Sequence, residues 1–79
     1  MLHIDLPADL NFEDNDGNNV ARLRDAVHPD RVTVGAILVA GRRGAWSWAQ
    51  VLDVDDNWVT FRQITGAEAA ALAPTLLEE

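Results

Sequence analysis

Apolar residues fall on both alternation classes of the segment Ala45–Ile64, in two runs separated by Asp55-Asp56-Asn57. Successive side chains of a strand point to opposite faces, so AWSWAQVLDV and WVTFRQI predict an antiparallel hairpin over Ala45–Val54 and Trp58–Ile64. A three-residue loop with Asn57 in the left-handed region pairs Val54 with Trp58 and Val51 with Phe61. In that register Ala45, Ser47, Ala49, Val51, Val59 and Phe61 share one face. Trp46, Trp48, Gln50, Leu52, Val54, Trp58, Thr60, Arg62 and Ile64 share the other. A sheet solvated on one side carries polar residues there. Here both sides are partly apolar, so a second surface must cover the indoles: the N-terminal segment with Leu6, Leu10 and Phe12, the C-terminal helix, a second copy, or a partner.

The remaining pattern is weaker but consistent. Residues 2–12 alternate apolar and polar around Pro7, which suits an edge strand or arm over residues 1–12 and excludes a central strand. Asp14-Asn15-Asp16-Gly17-Asn18-Asn19 is the strongest turn signal. A β core is expected over residues 20–64. Val20–Val27 reads as a short strand leading into a loop, with a helix of at most two turns as the competing reading. The β-branched run Val32–Ala40 reads as a strand with a bulge or close approach at Gly35. Gly41-Arg42-Arg43-Gly44 then forms a hairpin loop. Thr65-Gly66-Ala67-Glu68 matches a capping box, in which the Thr65 hydroxyl accepts from the amide of residue 68 and Glu68 reaches back to the amide of residue 65. A short helix over residues 66–73 stops before Pro74, and residues 75–79 form a tail. The expected fold is mainly β: one domain over residues 1–79, a small antiparallel barrel or strongly bent sheet with a short C-terminal helix.

Trp48-Ala49-Gln50-Val51-Leu52-Asp53-Val54, a tight turn and Trp58-Val59-Thr60-Phe61 resemble the third and fourth strands of Src-homology-3-type and Tudor-type barrels, with Val34–Val39 resembling the second. The resemblance spans residues 32–64. It implies a five-stranded barrel that binds peptides through an aromatic groove, with Ala49 pointing inward. The Tudor sequence Phe-x-Asp-Tyr-Gly is missing, because Phe61 is followed by Arg62-Gln63-Ile64-Thr65. The chain also has no tyrosine, so neither methylated side chains nor proline-rich peptides are implied as ligands.

A chain of 79 residues supports one modest core, and without cysteine no disulfide reinforces it. Its formal net charge of −7 opposes attraction to nucleic acid or anionic lipid. Residues 1–30 carry seven acids against Arg22 and Arg24, so the acidity is concentrated at the N-terminal end. Lysine is absent while alanine and arginine are abundant, a usage that GC-rich coding sequence produces and that points to a bacterial origin. No leader-like or membrane-spanning apolar run is visible, and a cytoplasmic protein is expected.

Candidate chemistry is sparse. The acidic turn fails the EF-hand spacing, since placing Gly17 at loop position six puts Phe12 and Leu23 at the end ligand positions. His28-Pro29-Asp30 matches the tripeptide of J-domain co-chaperones, but the two long helices that flank it in that family are missing. No catalytic residues, metal ligands or cofactor are expected. The residues with binding character are Trp46, Trp48 and Trp58, because tryptophan is enriched at interface hot spots, together with Arg62. They suggest a non-catalytic module that binds a protein partner or a second copy of itself. The alternative is an acidic mimic of nucleic acid, with Asp5, Asp9, Glu13, Asp14 and Asp16 standing in for phosphates against a basic protein.

Overall fold

The structure, a computed structural model, describes residues 3–72. Five strands form one sheet that curls into a half-barrel: β1 (Leu6–Pro7), β2 (Asn19–Arg22), β3 (Ile37–Arg42), β4 (Ala45–Val54) and β5 (Trp58–Ile64). The order across the sheet is β1-β3-β4-β5-β2. Two short 3-10 helices, Leu23–Asp25 and Pro29–Arg31, connect β2 to β3, and an α-helix, α1 (Gly66–Leu72), follows β5. The fold is thus mainly β, as the pattern predicts. The expected tail at residues 75–79 and the last position of the expected helix, Ala73, lie outside the described residues.

The β4–β5 hairpin forms the centre of the sheet. Val51 faces Phe61 as expected, and the same register carries Trp48 onto Ile64. Beyond Val51 it shifts, so that Asp53 faces Thr60 and Val54 faces Val59. The turn is the cause. Asp55 Oδ1 accepts from the amides of Asn57 (2.8 Å) and Trp58 (2.7 Å), and the Asp55 amide donates to the Trp58 carbonyl. These bonds close a tighter turn than the three-residue loop, Asn57 has no positive φ, and the surplus residue appears as a bulge at Leu52. The expected pairing of Val54 with Trp58 is therefore corrected, and Val54 moves to the face of Val51 and Val59, where it packs against the core.

Two other boundaries move. The strand expected over Val32–Ala40 begins only at Ile37, because Gly35 at φ +90° completes a turn in which the Ala36 amide donates to Thr33. The hairpin loop expected over residues 41–44 contracts to Arg43-Gly44, with Arg42 facing Ala45. Gly41 instead lies within β3 opposite Trp46, at φ +124°. A Cβ there would lie 2.8 Å from Trp46 Cα and closer still to the Ala45 carbonyl oxygen, so only glycine allows this approach.

The core lies on the concave face. Phe61, Val51, Val59, Ala49 and Ala40 come from the central strands, and Leu6 inserts from the N-terminal arm with no exposed surface. Complete burial of each large side chain contributes about 1.5–3 kcal/mol. The arm runs parallel to β3, held by the Asp5 amide on the Val39 carbonyl, the Ala8 amide on the Gly41 carbonyl, and the Val39 amide on Asp5 Oδ2. Pro7 falls on the sheet edge, where its missing N–H faces outward and costs no ladder bond.

One polar group is buried in this face. Asn19 is 2 % exposed. Its amide nitrogen donates to the carbonyls of Leu10 (2.8 Å) and Phe12 (3.1 Å), and its oxygen accepts from Gln63 Nε2 (3.0 Å). The side chain thereby ties the arm to β5 before the acidic turn, in which Asp14 Oδ1 accepts from the Asp16 and Asn18 amides. Removing a buried polar partner leaves its neighbours unsatisfied at about 1–3 kcal/mol each. Asn19→Ala is expected to lower unfolding free energy in urea by about 2 kcal/mol, with the amides of residues 10–12 losing protection from hydrogen exchange first. Unchanged stability and protection would show that Leu6 and the hydrogen bonds to β3 hold the arm without Asn19.

Candidate functional site

The convex face of the central hairpin carries all three tryptophans, and its neighbours treat each of them differently. Trp48 faces Val39 on β3 and Ile64 on β5, which are 3 % and 6 % exposed. The α1 helix closes over this cluster. Ala69 is fully buried, and the Trp48 indole nitrogen lies 4.0 Å from where a Cβ on Gly66 would be. Trp48 itself is half-buried.

Helix placement is fixed by its first turn. Thr65 Oγ1 accepts from the Glu68 amide at 3.1 Å, and Glu68 Oε1 accepts from the Thr65 amide at 3.2 Å. This is the reciprocal pair that the sequence predicts. Glu68 also joins the sheet. Arg62 bonds Gln50 Oε1 through Nε (3.0 Å) and Nη2 (2.8 Å), and Nη1 lies 3.4 Å from Glu68 Oε2. Arg62 therefore clamps β4, β5 and α1 together, and most of its donors are engaged within the chain.

Trp46 lies two residues farther along β4, beyond the last β4–β5 pair at Trp48 and Ile64. With Gly41 opposite, it has no side chain across from it on β3. Its ring meets Trp48 edge-on, with centroids 6.4 Å apart and planes at 84°, and it remains 44 % exposed.

Trp58 occupies the other end. It begins β5, six residues before Ile64, which corresponds to about 20 Å along an extended strand. It faces Arg22 on the edge strand β2, whose guanidinium carbon sits 5.7 Å from the ring centroid. That distance is within cation–π range, yet the indole stays 43 % exposed. Two open grooves meet at this pair. One, of about 360 Å³, is lined by Arg22, Arg24, Asp56, Asn57 and Trp58. The other, of about 310 Å³, follows the seam between β1 and β2 and is lined by Pro7, Phe12, Val20 and Trp58 among others.

Of the four expected binding residues, Trp46 and Trp48 thus form one cluster, Arg62 belongs to the helix clamp, and Trp58 forms a separate corner. Phe12, Arg22 and Arg24, which the sequence reading left outside the site, complete that corner. Phe12 is 54 % exposed. The only sequence signal for them is that Arg22 and Arg24 are the sole cations in an acidic stretch. Among the acids proposed as phosphate mimics, Asp5, Asp9 and Asp14 each accept a bond from a backbone amide of their own chain.

Among the described residues no group of three or more His, Asp or Glu side chains is placed to hold a metal ion. No helix among the described residues is long and apolar enough to cross a membrane. No protein-family model matches the chain, and no curated protein or solved structure matches it.

The Thr65 amide bond, followed by the nearby Arg62 guanidinium and opposed in part by desolvation, holds the Glu68 carboxyl below its ordinary value of 4.5. A carboxyl depressed by folding stabilises the folded form above its unfolded pKa and loses that contribution as pH falls through the folded value. Acidification through and below the ordinary carboxyl range is therefore expected to loosen α1 and expose Trp48, seen as a red-shifted indole emission. Glu68→Gln should reduce that acid response. An equal response in wild type and Glu68→Gln would remove the clamp from this role.

Proposed function

We propose that this chain is a small non-catalytic interaction or regulatory module that engages a protein partner through exposed aromatic residues, with Trp58 as its principal anchor. The observation that carries this reading is the position of Trp58, nearly half exposed at the meeting point of two grooves and oriented by Arg22. Tryptophan and arginine are both enriched at interface hot spots. Trp48 and Arg62 contribute to the docking of α1 instead, and Trp46 forms a smaller secondary patch.

A half-barrel built on this hairpin is compatible with the small barrels of the Src-homology-3 and Tudor types. Relationship to them is part of the proposal. It would assign binding to an aromatic groove, and the grooves at Trp58 join exposed aromatic residues to the exposed arginines Arg22 and Arg24. The acidic-mimic reading has less support, because three of its five carboxylates stabilise the arm and the turns in which they sit.

Trp58→Ala is expected to change folding free energy by less than about 1 kcal/mol, whereas Trp48→Ala should cost about 2–3 kcal/mol through the space left beneath α1. A photo-crosslinking phenylalanine analogue at Val20, beside Trp58, should yield a discrete adduct in cells. One at Val34, exposed elsewhere on the molecule, should not. Trp58→Ala should abolish the Val20 adduct. Equal adducts at both positions, or unfolding of Trp58→Ala, would refute the anchor.

A further inference from the structure

The grooves at Trp58 differ in chemistry, and that difference specifies a partner. Arg22 and Arg24 sit on the larger one, both exposed. Within the described residues the only ion pair joins Arg62 to Glu68, so neither arginine lies within 4 Å of a carboxylate of those residues, although the chain holds 13 acids against six arginines. Nearby carboxylates are directed elsewhere or only border the groove. Asp55 is turned into its own β-turn, and Asp56 stands on the groove wall. The groove lining therefore carries two positive charges against one negative.

Arg22 is also oriented in advance. Its guanidinium carbon lies 5.7 Å over the Trp58 ring, a cation–π contact that lowers the rotamer entropy lost on pairing with an anion. The seam groove next to it is lined by apolar Pro7, Phe12 and Val20 and also by Asp9 and Asp25. Those two acids disfavour a carboxylate at the seam end, which gives a bound chain a polarity.

Resting on the Trp58 anchor, we propose that this corner takes an acidic-apolar peptide segment of a partner protein. An apolar side chain fills the seam beside Phe12 and Val20, and a neighbouring Asp or Glu carboxylate meets Arg22 and Arg24. A chain of net charge −7 repels a polyanion, so a short segment with isolated carboxylates suits it better than nucleic acid. At about 0.1 M salt the Debye length of about 10 Å weakens repulsion from charges farther than that along the chain but not a direct guanidinium contact.

The test is selection of random peptides displayed on phage against the full-length chain, followed by titration of the synthetic winners into the nitrogen-15-labelled protein. Winners are expected to place Asp or Glu within a few residues of Leu, Ile, Phe or Trp, and to shift the Trp58 indole resonance. Arg24→Gln and Arg22→Gln should each weaken binding by about fivefold, as loss of a charged contact at an interface does, and raised salt should weaken the wild type likewise. Arg22→Lys, which keeps the charge and loses the planar fork, should fall in between. Neutral apolar winners that depend on Trp58 but not on Arg22 or Arg24 would overturn the acidic partner and leave the anchor standing. Indole shifts on concentrating the chain alone would identify a second copy as the occupant and overturn it too, and winners composed of basic residues would do the same. No enrichment, or winners that leave Trp58 unmoved, would remove both the partner class and the anchor.

Discussion

A strand with apolar side chains on both faces cannot be left open on either side, and β4 is such a strand. Ala49 and Val51 require a dry interior on the concave face, while Trp48 requires cover on the convex one. The two ends of the chain answer these demands separately. The N-terminal arm inserts Leu6 on the concave side and is held by Asn19, and α1 lies over Trp48, held by Thr65, Glu68 and Arg62. Neither cover would be stable by itself. A helix of seven residues is far below the length that persists alone in water, and the arm contributes only a two-residue strand. Each is ordered by the hairpin that it shelters.

Much of this arrangement is legible from residue types because it rests on local chemistry. The capping box is specified by Thr65 and Glu68, the acidic turn by Asp14 and Gly17, and the edge position of β1 by Pro7. Matters decided by small differences were not legible. A two-residue and a three-residue turn differ little in energy, and the bonds from Asp55 Oδ1 tip the choice, which displaces a residue into the bulge at Leu52 and turns Val54 inward. The parallel course of β1 beside β3 also has no local signature, since it joins segments more than thirty positions apart.

The candidate site was half legible for the same reason. Sequence marks Trp46, Trp48 and Trp58 as equals, yet their environments depend on where α1 docks and where β5 begins. Trp48 lies beneath the helix, Trp46 projects past the end of β5 over Gly41, and Trp58 reaches the seam at which the half-barrel stays open. Arg22 belongs with Trp58 because β2 pairs with β5 in a register that places the two opposite each other. Among the described residues the arm and α1 shelter the middle of the hairpin, and Trp58 remains 43 % exposed beside the arm.

The most direct measurement of that division is the paramagnetic broadening of the three indole N–H resonances by a neutral soluble gadolinium chelate, at a concentration where the chain does not self-associate. Strong attenuation of Trp46 and Trp58 with a persistent Trp48 signal is the predicted result. Attenuation of all three to the same degree would show that the helix does not shelter the convex face, and a Trp58 signal as persistent as that of Trp48 would show that the open corner does not exist.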